Sequence, residues 1–567
     1  MEAAGDRERD ASGTARGAQV KLSPVDVVVV GAGAGGGVVA YELAKAGRTV
    51  ALLERGRDQK WSETGHDELR SQRTTVLGNA FGPDDERHRR VVKSADGKRS
   101  TVVLPSEGGY NNVAACVGGG TRSYGAMAWR FLEKDFRMRS EYGAVEGSTL
   151  EDWPLTYAEL EPYYERAERE IGVSGRKGAN PFEAPRKSAY PMPPLPLSKE
   201  ANLLMKAARG IGWHPFPIPM AINSVSYDGR PGCIACPHCV GFACEADAKN
   251  GTQNTVIPRA VKSGQCKLIT EAVAKEILTD ARGRAAAVAY FKDGRLYEQP
   301  CKAVVVACSA TETPRLLLNS KSKLHPKGLG NHNDWLGRNL QGHAYSGAFG
   351  LFEEDIFDGT GPAARVAVCD FNHGNDGVIG GAMLANEFIR LPYLFSRSAR
   401  PPRVKRWGLE FKKYARDFYR RSAGVKGPVQ EMPLWENRVE VDEKVRDHWG
   451  IPVAAITARR HSKDIECGRY IAKRAAEWLR AAGAVEVWEQ VAGAGGTGGQ
   501  HQAGTCRMGK DAKISVTDPF GRLHSVENVY VADGSLLVTN GGFNPSLTIL
   551  AVAFRVGEHL AKELRVG

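Results

Sequence analysis

Residues 25–54 read VDVVVVGAGAGGGVVAYELAKAGRTVALLE, and the fold turns on this stretch. Val25 to Val30 is a short apolar run bounded by Pro24 and Gly31, which reads as a buried parallel strand. The run enters Gly31-Ala-Gly33-Ala-Gly-Gly36 and then a helical stretch that stops at Gly47. A second apolar run, Thr49 to Leu53, ends at Glu54. Strand, glycine turn, helix and strand in this order make a dinucleotide-binding unit. Gly31 permits the tight turn, Gly33 lets a pyrophosphate approach the backbone, and Gly36 lets the helix sit close to the strand. The helix N-terminus offers unpaired N–H groups and a positive dipole end to phosphates. Glu54 lies 23 residues after Gly31, where an acid can hydrogen-bond a ribose hydroxyl, and its charge would repel a 2′-phosphate. The unit by itself does not separate FAD from NAD.

At 567 residues the chain is long enough for two interleaved domains. Apolar residues at 42% and charged residues at 25% are ordinary for a soluble globular protein. No apolar run approaches the roughly 18 residues of a spanning helix, and the charged, small-residue N-terminus has no apolar core for a secretory signal. Residues 1–20 are expected to be disordered, because they bury too little surface to offset chain entropy. The expected location is cytoplasmic, or periplasmic only by co-export with a signal-bearing partner.

The formal charge of +12 is concentrated rather than spread. Residues 390–421 hold eleven Lys/Arg and two acidic residues. With no recognised nucleic-acid module and a basic run that is local, a nucleic-acid partner is not expected. Trp407, Phe411, Tyr414 and Phe418 recur there at helical spacing, giving an amphipathic helix with a basic outer side. The favoured reading is a helix packing its aromatic stripe inward; the other is a docking surface for a membrane or an acidic redox partner.

The stretches Asn111 to Gly125, Ser309 to Ser320 and His501 to Leu550 resemble the glucose-methanol-choline (GMC) oxidoreductases. The first is glycine-rich and holds Gly118, Gly119 and Thr121, the second holds Thr313 and Pro314, and the third is a C-terminal block. That block holds His501, then Asp533-Gly534-Ser535, then Asn544-Pro545. DWPLTYAELEPYYERAE and WLGRNLQGH also look like this family. The resemblance, running from about residue 24 to the end, implies an α/β fold: a Rossmann-like FAD-binding domain with an inserted α+β substrate domain carrying an antiparallel sheet. The expected division gives residues 21–180, 245–330 and 495–567 to the FAD domain, and 181–244 with 331–494 to the substrate domain. It further implies that Gly118, Gly119, Thr121, Asp533, Gly534, Ser535 and Asn544 approach the cofactor. No histidine stands in Thr121-Arg-Ser-Tyr124, so non-covalent FAD is expected.

The resemblance also implies oxidation of a CH–OH group, with His501 as the base and Asn544 holding the substrate oxygen. Histidine suits proton removal near neutral pH, and asparagine cannot titrate. The hydride goes to the flavin N5, which the protein must align with the substrate carbon. The substrate class implied is a sugar, glycoside, polyol or related alcohol, oxidised by a dehydrogenase that passes electrons to an external acceptor or partner subunit. An oxidase returning electrons to oxygen is the nearest alternative. A non-redox FAD-containing lyase is more remote.

Seven of the eleven cysteines are scattered, but Cys233, Cys236, Cys239 and Cys244 are clustered. Thiolates at such gaps can wrap a soft metal centre. The run approaches the ferredoxin pattern, though its last gap is four residues and no Cys-Pro follows. Three readings stand open: an iron–sulfur cluster (3Fe-4S or 4Fe-4S), a four-thiolate zinc site, or cysteines that hold nothing.

Overall fold

The computed structural model describes residues 20–110, 114–386, 391–398, 400–496 and 501–566. The segment expected to lack structure (residues 1–20) lies outside this range except for Val20, and so do Asn111, Asn112 and Val113 of the glycine-rich stretch. Val20–Lys21 pairs in parallel with Tyr297 and Glu298.

The expected strand, Val25–Val30, is flanked by Val50–Leu53 on one side and by Arg295–Val306 on the other, all parallel. Cys266–Ile269 extends the sheet beyond Val50–Leu53, and Val529–Val531 pairs in parallel with Val304 to Val306. Val27, Val28, Val29, Val304, Val305 and Val306 are fully buried. Both faces of these strands are covered, which is why the runs are continuously apolar instead of alternating. Arg295–Val306 is a 12-residue strand whose first half pairs antiparallel with Ala285–Lys292, itself antiparallel to Val273–Thr279. One strand thus joins the parallel dinucleotide sheet to an antiparallel meander. The helix Ala34–Lys45 follows the glycine turn and packs against the C-terminal helix Ser546–Val566.

A second sheet has the order Glu486–Gln490, His343–Leu351, Ser422–Gln430, Leu384–Asn386, Val366–Val368, Phe216–Pro217, and every pairing is antiparallel. The helix Ser462–Ala481 covers it, burying Cys467, Ile471, Ala475, Trp478 and Leu479. Asp464 stops that helix from fraying at its start by accepting from the His461 N–H at 2.9 Å. A four-stranded sheet unites distant parts of the chain: Arg438–Arg446, Pro452–Thr457, Arg90–Lys93 and Ser100–Val103. The α/β architecture with a Rossmann-like sheet and a separate antiparallel sheet is therefore the one the sequence led us to expect.

The basic segment forms the helix Leu409–Phe418. Tyr414 is buried, and Phe411, Ala415 and Phe418 pack with it against Phe349, Leu351 and Phe395. Trp407 departs from the expected stripe. It precedes the helix, is set apart by Gly408 at φ +91°, and is 76% exposed. Among the described residues no helix is long and apolar enough to cross a membrane.

Candidate active site

One cavity of about 300 Å³ runs from Glu54 to His501, lined in between by Gly31, Gly33, Gly119, Thr121 and the backbone around Asp533. Gly31 takes φ +100°, and a Cβ on it would meet the Ala307 carbonyl oxygen at 2.4 Å. A Cβ on Gly36 would fall 1.8 Å from the Gly31 carbonyl oxygen, so helix and strand touch there. The tightest approach is at Gly35, whose Cβ would sit 1.5 Å from the Ala532 carbonyl oxygen. Gly33 is different, since a Cβ on it would meet nothing within 4 Å. It faces the cavity, and the space a side chain would occupy is left for a ligand. No side chain caps the helix Ala34–Lys45, so its first N–H groups are free to bind phosphate oxygens.

Glu54 is buried at the far end of the cavity, and burial pushes its carboxyl above the usual range. One oxygen accepts from the Ala32 N–H at 3.0 Å and the other from the Gly56 N–H at 2.9 Å. Each oxygen keeps lone-pair capacity for a ribose hydroxyl. Gly118 does not line the cavity; its N–H donates to the Ala32 carbonyl at 2.8 Å and ties the second glycine loop to the first. Thr121 lines the cavity, but its hydroxyl donates to the Gly118 carbonyl at 2.7 Å.

Asp533 is turned into the protein. One oxygen accepts from the Ser535 N–H at 2.8 Å and the Ser535 hydroxyl at 2.5 Å; the other accepts from the Ser309 N–H at 2.9 Å and the Thr313 hydroxyl at 2.5 Å. Burial pushes this carboxyl up, and the four donors oppose the shift. Asp533 and Gly534 border the cavity, whereas Ser535 is fully buried behind them. The carboxylate therefore clamps the start of the helix Ser309–Asn319 to the turn Gly534–Leu536.

At the other end, His501 Nε2 lies 3.4 Å from Asn544 Nδ2. Asn544 Oδ1 accepts from the Trp129 indole N–H at 3.1 Å, and Nδ2 donates to the Tyr345 hydroxyl at 2.9 Å. The indole can only donate, so it fixes the amide with its nitrogen toward His501. His501 Nδ1 meets His343 Nδ1 at 2.7 Å, and His343 Nε2 meets the Gly541 carbonyl oxygen at 2.8 Å. Burial, with His343 and Arg73 further disfavouring a second positive charge beside them, holds His501 well below the usual histidine range. Burial lowers His343 to about 4. Both rings are neutral at neutral pH.

His343, Trp129, Tyr345 and Gly35 were not singled out from sequence. His343 closes the stretch WLGRNLQGH noted above, but nothing local marks it, because its partner is 158 residues away. Gly35 is hidden inside a glycine run.

Of the clustered thiols, Cys239 is buried and pushed up to about 12 by burial, while Cys233, Cys236 and Cys244 are half-buried. All eleven cysteines are free thiols. Beside the cluster the fully buried Lys249 donates to the carbonyls of Cys239 at 2.5 Å, Phe242 at 2.7 Å and Tyr124 at 3.1 Å. Burial lowers its ammonium to about 8, and Cys239, Cys244 and Cys236 act against that shift.

The glycine turn, the open Gly33 face and the buried Glu54 define a dinucleotide-binding protein whose cavity extends to His501. Comparison with known proteins agrees. Residues 26–95 match an FAD binding domain, and residues 110–345 and 433–553 match the two GMC oxidoreductase profiles. The chain belongs to the GMC oxidoreductase family and acts on CH–OH donors. It is 28% identical to the fructose dehydrogenase large subunit of Gluconobacter japonicus, covering 96% of this chain and 98% of that one. It is 30% identical to the 6'''-hydroxyparomomycin C oxidase of Streptomyces lividus, covering 95% and 92%. The fold matches the crystal structure of pyridoxine 4-oxidase from Mesorbium loti with a TM-score of 0.60 at 16% identity, covering 94% of this chain and 99% of that one.

Proposed function

We propose that this protein is a dehydrogenase that oxidises a hydroxyl of a sugar, glycoside or polyol and passes the electrons to an external acceptor. The observation that carries the reading is the His501–Asn544 pair, 3.4 Å apart at the reacting end of the cavity. His343 Nε2 faces a carbonyl, which only accepts, so that nitrogen carries the proton. The neutral His343 ring then accepts through Nδ1 from the Nδ1–H of His501. His501 is left with a bare Nε2 lone pair directed toward Asn544. That lone pair takes the hydroxyl proton of the substrate, while the Asn544 amide N–H holds its oxygen. FAD, when bound, supplies the acceptor for the hydride leaving the same carbon.

Sugar-type substrates are supported by the likeness to a fructose dehydrogenase subunit. Transfer to a partner subunit is supported by that relative's being a large subunit. Oxygen as acceptor is the competing reading, favoured by the oxidase among the relatives.

For the clustered cysteines we propose an iron–sulfur centre. A tetrahedral zinc with Zn–S near 2.3 Å brings its sulfurs to roughly 3.8 Å of one another. Among the described residues no three of these sulfurs lie within 4.8 Å; the one such ligand group is Cys236 with His66 and His238. The four thiols nonetheless stand within electrostatic reach of one another. Lys249 is a buried cation with carbonyl partners only, an arrangement that an anionic centre on these thiols would compensate. A cluster on Cys233, Cys236, Cys239 and Cys244 would supply one-electron carriage toward the acceptor.

The test is the visible spectrum of anaerobically purified holoenzyme before and after a panel of sugars and polyols. Bleaching of the flavin bands by a member of the panel, with slow recovery in air and rapid recovery with a soluble dye, is expected. Rapid recovery in air would make the protein an oxidase. A flavin that no alcohol bleaches would overturn the redox reading. Iron and sulfide analysis of the same sample decides the cluster.

A further inference from the structure

The helix Leu409–Phe418 has two opposed faces. Its inner stripe, Phe411, Tyr414, Ala415 and Phe418, is anchored in a hydrophobic cluster. Leu409, Lys412, Lys413 and Arg416 recur at positions i, i+3, i+4 and i+7, so they share the outer face, and all four are exposed. Trp407 and Leu409, at 76% and 67%, are the two most exposed large apolar side chains among the described residues. Lys405, Arg406, Lys412 and Lys413 flank them in the sequence, with Glu410 the one acidic residue among them. Several nearby charges are neutralised: Arg403 by Glu486, Arg416 by Asp417, and Arg420 and Arg421 by Asp355. Among the described residues, Lys405, Arg406, Lys412 and Lys413 make no ion pair within 4 Å, although Asp417, paired with Arg416, also acts on Lys413.

We propose that this segment docks the protein onto an anionic lipid surface. Trp407 and Leu409 enter the headgroup region, and Lys405, Arg406, Lys412 and Lys413 lie over the phosphates. The combination distinguishes lipid from a protein partner. The core of a protein interface is depleted of charge. Interfacial helices instead place tryptophan and leucine beside lysine and arginine. The inner stripe is already packed, so the outer face is presented without refolding.

The test is co-sedimentation of the FAD-loaded protein with phosphatidylcholine vesicles, with and without phosphatidylserine. Binding is expected only to the phosphatidylserine vesicles and is reversed by salt. Lys412→Ser with Lys413→Ser should weaken it more than tenfold, at about fivefold per lysine. Trp407→Ser with Leu409→Ser should weaken it as well. All four side chains are exposed and none lines the cavity at His501, so thermal transitions and turnover with a soluble dye should match the parent protein. Absence of sedimentation with phosphatidylserine vesicles at low salt would overturn the proposal. So would vesicle binding that neither double variant reduces, or lysine-dependent binding of an acidic soluble cytochrome by a protein that leaves vesicles untouched.

Discussion

His343 decides which nitrogen of His501 is basic. The two Nδ1 atoms lie 2.7 Å apart, and the far nitrogen of His343 is committed to the Gly541 carbonyl at 2.8 Å. The proton order along this line leaves the lone pair of His501 on Nε2, beside Asn544. Neither ring needs a carboxylate to set its tautomer, because a backbone carbonyl does so at one remove.

His501→Ala should lower kcat/KM by about 10²–10⁴-fold, the usual contribution of a positioned base. His343→Leu leaves the base in place but frees its tautomer and tilt, and should lower kcat by roughly 10²-fold with KM little changed. In both variants the flavin spectrum should be retained, since neither residue lies at the pyrophosphate end. A His343→Leu enzyme with parental kcat would remove His343 from the mechanism.

The acid side of the pH profile follows from the same pair. As the proposed base, His501 would work only when neutral, so activity should be lost as pH falls through its pKa. Burial, with His343 and Arg73 adding to it, holds that pKa well below 6.5. The acid limb of kcat/KM should therefore lie below 6.5, and a limb at or above that value would assign the base elsewhere. Stability has a related dependence. His343 titrates near 4 in the folded protein and near 6.5 when unfolded. The unfolded chain thus takes up the proton first on acidification. The His343 contribution is complete above 6.5 and falls away toward 4, by up to about 3 kcal/mol. Urea unfolding across that range should show a shallower decline in His343→Leu than in the parent.

The glycine turn permits a sharper experiment, because two neighbouring glycines do different things. At Gly35 an added methyl would sit 1.5 Å from the Ala532 carbonyl oxygen, so Gly35→Ala must push the helix off the sheet. It should cost about 1–3 kcal/mol or more and lower the melting temperature even without cofactor. At Gly33 a methyl meets no protein atom within 4 Å. Gly33→Ala should fold with the parental apo-protein melting temperature and lose affinity for FAD. Equal effects of the two substitutions on apo-protein stability would contradict this division.

These residues also mark what could be read in advance. The dinucleotide unit was legible because phosphate binding demands glycines and an acid at fixed spacing along one local segment. His501 and Asn544 were legible through family-like motifs around them. The supports were not: Trp129 reaches Asn544 across 415 residues and His343 reaches His501 across 158, and such contacts exist only after folding. The same reason hid the contacts of Asp533, which borders the cavity while its carboxylate binds Ser309, Thr313 and Ser535. Helical spacing carried Trp407 into the aromatic stripe, although Gly408 breaks the register before the helix begins.

Lys249 lies five residues beyond Cys244, and its surroundings make a prediction about the thiols. A buried ammonium with three carbonyl acceptors and no carboxylate is poorly compensated on its own, which is why burial brings it to about 8. Lys249→Met removes the charge while keeping much of the side-chain volume. Losing the donor leaves three carbonyls to find new partners, at a cost of about 1–3 kcal/mol. The electrostatic consequence depends on what the thiols hold. If Cys233, Cys236, Cys239 and Cys244 carry an iron–sulfur centre, loss of the neighbouring cation makes added negative charge less favourable there. The midpoint potential of the centre, followed by its paramagnetic signal during a redox titration, should then move to more negative values, while the flavin absorption is unchanged. If the thiols hold no metal, removing the cation should instead make Cys239 harder to ionise and slower to alkylate. An iron–sulfur signal whose potential is identical in parent and variant would show that Lys249 exerts no field at the centre.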